Sequence, residues 1–201
     1  MRILSLMLIL LTIGIGASAQ EGTRSRAPFL RFHSEIVRLS VVEDSVEIEG
    51  IYRMLCRPSA RQELAALFYP YPRDSLLGGA RSLLLEARVP GGAWEALDFR
   101  DTAQLSGARW TIPLTWGDTL DVRTVYRQAL HANYARYIVT TTQVWGRPLV
   151  HARFEITLPE GAEPEEFSFP FRKQEEDERT YYLFEADEFL PDHDITVTWK
   201  P

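Results

Sequence analysis

The side chains able to do chemistry in this chain are few and poorly arrayed. Its four histidines, His33, His131, His151 and His193, never fall at the i, i+2 or i, i+4 spacing that puts two imidazoles on one strand or helix face. A zinc site needs ligands converging to about 2 Å from the metal, so no metal site is expected. Asp192-His193-Asp194 reads instead as the turn before a terminal strand, Ile195 to Trp199. Cys56, the single cysteine, lies in the apolar run Ile51 to Cys56 and reads as a small buried hydrophobe without a patterned histidine partner. Nucleophile elbows, P-loops and dinucleotide fingerprints are missing, and no cofactor or catalytic residue is assigned. With 28 carboxylates some pair will approach glycosidase separation by chance, so their abundance says nothing of hydrolysis.

Aromatic side chains are the more suggestive set. Trp94, Trp110, Trp116, Trp145 and Trp199, with Tyr69, Tyr71, Tyr181 and Tyr182, could form a flat platform for sugar rings or peptide, or fill a core. The binding candidates are Trp145, Thr140, Thr141, Thr142, Tyr69 and Tyr71. The threonine hydroxyls can bond nearby backbone, and Gly146 with Pro148 sets a turn after Trp145. Trp145 then either plugs the end of the core or stands exposed to a ligand.

The elements that must position these groups read as strands. Alternation runs through Val46 to Cys56, paired with Ile36 to Val42 across Glu43-Asp44-Ser45, and a bulge is expected at Gly50, where the apolar phase shifts to Ile51 and Leu55. Gln62 to Tyr69, Arg81 to Val89, Ala93 to Phe99, Ala108 to Thr115, Thr119 to Leu130, Ala135 to Thr142, Leu149 to Leu158, Glu166 to Phe171, Thr180 to Asp187 and Asp194 to Trp199 follow, separated by turn chemistry. Short β-branched and aromatic runs with turns every eight to twelve residues predict an all-β chain, an antiparallel β-sandwich or partly closed barrel of about ten to twelve strands.

Met1 to Ala19 has a basic start, an apolar run from Ile3 to Ile15 and the ending Ala17-Ser18-Ala19, the pattern of a secretory signal peptide. The run is shorter than the roughly 20 residues a membrane span requires, so cleavage before Gln20 is expected, with no stable membrane insertion of the mature chain. Residues 20–27 read as a flexible lead and 28–201 as one sandwich domain. No glycosylation sequon surrounds Asn133, and 20 of 22 basic residues are arginine. Together these features point to a secreted or periplasmic bacterial protein.

The net charge of −6 argues against a nucleic-acid partner, whose phosphates call for a basic surface. Charge is uneven, with fourteen acids between Glu155 and Asp194 against Arg172, Lys173 and Arg179. Clusters at Glu160 to Glu166, Glu175 to Glu178 and Asp187 to Asp194 read as solvated turns.

Two stretches resemble known families. Val46 to Val89, through Glu63 to Pro72, is similar to the β-sandwich domain at the front of inter-alpha-trypsin inhibitor heavy chains. Tyr137-Ile138-Val139-Thr140-Thr141-Thr142, then Trp145-Gly146-Arg147-Pro148-Leu149 and the strand Ala152 to Leu158, resembles a motif of uncharacterised secreted bacterial β-sandwich proteins. Neither resemblance implies a catalytic residue; both imply the fold and export. The functional expectation is an exported, non-catalytic binding or structural module of the envelope with an unidentified protein or polysaccharide ligand. The alternatives are a polysaccharide hydrolase using carboxylates of the 155–194 region, and a surface subunit that self-assembles through its charge asymmetry or an open sheet edge.

Overall fold

The computed structural model describes residues 30–56, 64–102, 107–113, 119–176 and 179–200. The segment read as a signal peptide and its lead lie outside them. Strand β1 (Leu30–Val42) turns through Glu43-Asp44 into β2 (Ser45–Cys56). Glu43 takes the left-handed φ of 54° that a tight two-residue turn demands, and Ser45 Oγ donates to the Val42 carbonyl at 3.1 Å. Then come β3 (Leu64–Pro70), β4 (Leu77–Arg88), β5 (Glu95–Ala96), β6 (Phe99–Thr102), β7 (Gly107–Pro113), β8 (Thr119–Leu130) and β9 (Tyr134–Tyr137). A 3-10 segment, Thr140–Trp145, precedes β10 (Leu149–Thr157), β11 (Glu163–Phe167), β12 (Arg172–Glu176), β13 (Arg179–Phe189) and β14 (Ile195–Lys200).

The fold is an all-β sandwich. One layer is an eight-stranded sheet in the order β12-β13-β10-β1-β2-β8-β4-β5, antiparallel except where β1 runs parallel to β10. The other is divided into two three-stranded sheets, β11-β14-β9 and β3-β7-β6. Ring contacts place each half: Tyr137 on β9 meets Phe154 on β10, Phe167 on β11 meets Tyr182 on β13, and Tyr69 on β3 meets Tyr52 on β2 and Tyr126 on β8. Between the layers lie Val37, Leu39, Ile48, Leu85, Ile112, Leu120, Val122, Phe154, Ile156, Ile195 and Val197, each at most 2% exposed. Cys56 is buried with them.

Several expectations need correction. Fourteen strands are described, in part because β5 has only two residues. No bulge occurs at Gly50: both registers run unbroken through Val37↔Gly50 and Gly50↔Thr124, and the irregularity falls on β1 between Phe32 and Ser34. The inner face of β2 keeps one phase through Val46, Ile48, Gly50, Tyr52, Met54 and Cys56, so Ile51 and Leu55 face outward, half-buried. The strand expected over Ala135 to Thr142 stops at Tyr137, where a distant carboxylate captures the backbone that follows. That over Glu166 to Phe171 is displaced to β11, leaving Ser168 to Phe171 as a corner. Many acids read as turns lie on strands: Glu163, Glu165 and Glu166 on β11, Glu175 and Glu176 on β12. Both are margins of their sheets, where charge deters pairing with another chain.

Candidate functional site

At one end of the sandwich three connections are tied together, and Asp194 is the knot. Its Oδ1 accepts from the amides of Val139 and Thr140, both at 3.2 Å, and from Thr140 Oγ1 at 2.8 Å. Its Oδ2 takes Nε and Nη2 of Arg136 at 3.0 and 2.7 Å. This demand for amides overrides the strand preference of the β-branched run and turns it into the 3-10 segment. Within the segment Thr142 Oγ1 donates to the Val139 carbonyl at 2.9 Å, and Gly146 closes it at a φ of 65°. Gln143 Nε2 reaches the Pro191 carbonyl at 2.7 Å, fastening the 190–194 turn. His193, stacked on Phe169 at 4.3 Å, faces the Ser168 carbonyl at 3.0 Å and Asp192 at 2.6 Å. That carbonyl first, and then the carboxylate, raises the imidazole above its usual range. Asp194→Ala should cost about 1–3 kcal/mol in chemical denaturation, because two amides and half-buried Arg136 lose their acceptor. The Val139 and Thr140 amides should lose exchange protection before the rest of the sheet.

The six candidate residues are not gathered on one surface. Trp145 is half-buried, its ring edge-on to Phe32 at 5.9 Å. Thr140 serves Asp194, Thr141 is half-buried and Thr142 is buried. Tyr69 and Tyr71 are buried, each packed on Tyr126. A relay of rings, Trp145 to Phe32 to Tyr52 to Tyr69, joins the two groups through the core. What is exposed on these connections and at the start of β10 is aliphatic: Val144 is 63% exposed, Leu190 49% and Val150 44%. Sequence reasoning missed these, and also the corner Phe167-Ser168-Phe169-Pro170-Phe171, whose alternating phenylalanines were the available signal.

A second polar group occupies the middle of the core. Tyr52 Oη lies 2.8 Å from Tyr69 Oη, 2.9 Å from Tyr137 Oη and 3.3 Å from Thr124 Oγ1. Glu35, only 2% exposed, sits beside Tyr52 in the β1/β2 register. Burial pushes its carboxyl up to about 8 against the opposing hydrogen bond from Tyr137. Burial likewise raises all three tyrosines. Such a cluster can store and orient protons. Glu35 went unnoticed in the sequence although it shares the parity of Val37, Leu39 and Val41, which marks it as inward-facing.

On its outer face the large sheet carries a chain of ion pairs: Glu185, Arg153, Glu155, Arg38, Glu49, Arg123 and Glu86, each pairing with the next, from β13 to β4. Burial works to raise Glu155, but the guanidiniums of Arg153 and Arg38 outweigh it and hold the carboxyl below its usual range. That is the opposite of what a general acid needs. Among the described residues no group of three or more His, Cys, Asp or Glu could hold a metal ion, and no helix is long and apolar enough to cross a membrane.

No family model matches the chain, and no curated protein matches it. Solved structures do. A Legionella pneumophila protein provisionally named a nutrient binding protein aligns with a TM-score of 0.60 at 13% identity, over 86% of this chain and 67% of that one. An M1 zinc metallopeptidase from Deinococcus radiodurans aligns at 0.51 and 14% identity, over 85% of this chain and 42% of the enzyme. Native yeast LTA4 hydrolase aligns at 0.51 and 12% identity, over 87% of this chain and 30% of the enzyme. The chain thus spans less than half the length of these two enzymes. At such identities the likeness is one of fold.

Proposed function

We propose that this chain is a non-catalytic binding or structural module exported to the bacterial envelope, engaging a protein or polysaccharide through the end built by residues 138–148 and 190–194. One observation carries the reading: Asp194 and Gln143 lock those connections, which carry half-buried Trp145, its exposed chain neighbour Val144 and, next to the Pro191 that Gln143 holds, exposed Leu190. Apolar groups held on tied backbone bind with little ordering cost, which is where recognition energy is gained. The carboxylates of the 155–194 region argue less for hydrolysis, since Glu155 is neutralised by two arginines and Asp194 is occupied with backbone. Export follows from Met1 to Ala19, and intact mass of protein recovered from the periplasm should begin at Gln20.

Trp145→Ala tests the site. With the ring half-buried against Phe32, its removal should cost about 1–2 kcal/mol of stability, below the 3–5 kcal/mol of a fully buried aromatic. Binding to soluble peptidoglycan fragments or to envelope proteins, followed by calorimetry, should weaken tenfold or more, about 1.4 kcal/mol. Unchanged affinity would place the ligand elsewhere. Release of reducing ends by wild-type protein, lost in Glu155→Gln, would replace this reading with the hydrolase.

A further inference from the structure

The divided second layer poses a mechanical question that the buried hydroxyls answer. β9 ends one small sheet and β3 ends the other, and the two belong to separate ladders. Tyr137 comes from β9 and Tyr69 from β3, and both bond the one hydroxyl of Tyr52, rooted in the large sheet. Outside the layer, Arg136 on β9 reaches Asp74, beyond the end of β3, at 3.7 Å. The inner tie is therefore a three-phenol knot at the seam, steadied by Thr124 on β8.

Glu35 sets the direction of that knot. A phenol has one proton to donate, and an ionised carboxylate can only accept. While Glu35 is protonated it can donate to Tyr137, which donates to Tyr52, which donates onward to Tyr69 or Thr124. Once it is ionised, Tyr137 must turn toward the carboxylate, Tyr52 toward Tyr137, and Tyr69 and Thr124 both toward Tyr52. The carboxylate then holds one phenol donor, while its Oε1, buried, has no partner among the described residues. Among the described residues no arginine, lysine or histidine acts on Glu35; the groups facing it are Tyr137 on β9, Tyr52 on β2 and, through them, Tyr69 on β3, with Ala152 its register neighbour on β10. A buried charge so poorly solvated draws in water, and the seam between β9 and β3, which no ladder closes, offers it a way in.

We propose that Glu35 and the three tyrosines form a proton-operated clasp, which keeps the two small sheets together while the carboxyl is protonated and lets them part between β9 and β3 when the proton is lost. The proton leaves to solvent and returns from it, so no co-reactant is required. Glu35 keeps its proton in the folded chain up to about 8, against 4.5 as an ordinary glutamate. Its contribution to stability is thus fully present below pH 4.5, declines as pH rises and is lost above about 8.

Amide exchange of the full chain at pH 6 and pH 9, corrected for intrinsic rates, tests the clasp. At pH 9, one unit above the midpoint, carboxylate exceeds acid about tenfold, and segments 64–70 and 134–137 should lose protection by a similar factor relative to β1 and β2. In Glu35→Gln the protection of both segments should be equal at the two pH values. If that variant does not fold, Tyr137→Phe serves: without the phenol that favours the carboxylate, opening should begin at higher pH, from a lower starting protection. An infrared band of a protonated carboxyl titrating near pH 8 in wild type supplies an independent reading. Protection of the two segments that ignores pH, a pH response persisting in Glu35→Gln, or no such carboxyl band at pH 6 would each overturn the proposal.

Discussion

Phe154→Ala should remove about 3–5 kcal/mol of stability, a large share of the 5–15 kcal/mol typical of a folded domain. Phe154 is wholly buried on β10, between β13 and β1 in the eight-stranded sheet, and its ring meets Tyr137 at 6.4 Å, Phe184 at 6.0 Å and Phe189 at 5.4 Å. It therefore joins the large sheet to β9 across the interior, and the flanking strands cannot collapse into the vacated volume without shifting their own ladders. Urea denaturation should show the midpoint falling with an unchanged slope. A loss below about 1 kcal/mol would mean that the layers do not meet through this ring. Val144→Ser, on the exposed end, should stay within about 0.5 kcal/mol of wild type.

Gly50→Ala is expected to be nearly as damaging, for a reason confined to one neighbour. A methyl at position 50 would overlap the phenol of Tyr52, which folds back over the glycine on the inner face of β2. Tyr52 would have to swing away, stranding the hydroxyls of Tyr69, Tyr137 and Thr124. Overpacking at about 1–3 kcal/mol and orphaned buried hydroxyls at about 1–3 kcal/mol together predict a loss near 4 kcal/mol. In a Tyr52→Ala background the same change should cost under about 1 kcal/mol, so the double-mutant cycle should show coupling of about 3 kcal/mol. Equal costs in both backgrounds would show that Gly50 serves the backbone instead of the phenol.

This glycine also shows how far the fold was legible. Alternation revealed β2, β8, β10 and β14 because each has one face on the core, and the sandwich class follows from them. Gly50 looked like a phase break because a glycine contributes no apolar signal, yet its inner position is filled by Tyr52, two residues along. The 3-10 segment was hidden for a different reason: the acceptor that shapes Thr140 is Asp194, 54 positions away. The site was legible only in part. Trp145 was singled out by type and turn context, but Tyr69 and Tyr71 lie in the core, where hydroxyl and ring contacts satisfy them. Residue type alone does not say on which side of a strand a tyrosine falls. Nor could local pattern show that the second layer is split, since that depends on which distant strands decline to pair.

The one parallel pairing in the large sheet bears on how the chain can fold. β1 aligns Ser34 with His151 and Ser40 with Thr157, so it completes its second ladder only after the chain has been made as far as Thr157. Until then its free edge shows Val37 and Leu39 beside unpaired backbone, and the loop to be closed exceeds a hundred residues: Arg38 and Glu155, which bond across the pairing, are 117 positions apart. Closure of such long loops precedes the contacts that reward it, and chains dominated by them fold in milliseconds to seconds rather than microseconds. A ribosome-bound fragment ending before β10 should therefore hold β1 and β2 as a hairpin with one open side, exposed to holdase chaperones, and acquire native protection only when Thr157 has emerged. Folding of this sheet is accordingly timed by the arrival of β10 rather than by the hairpin that is made first.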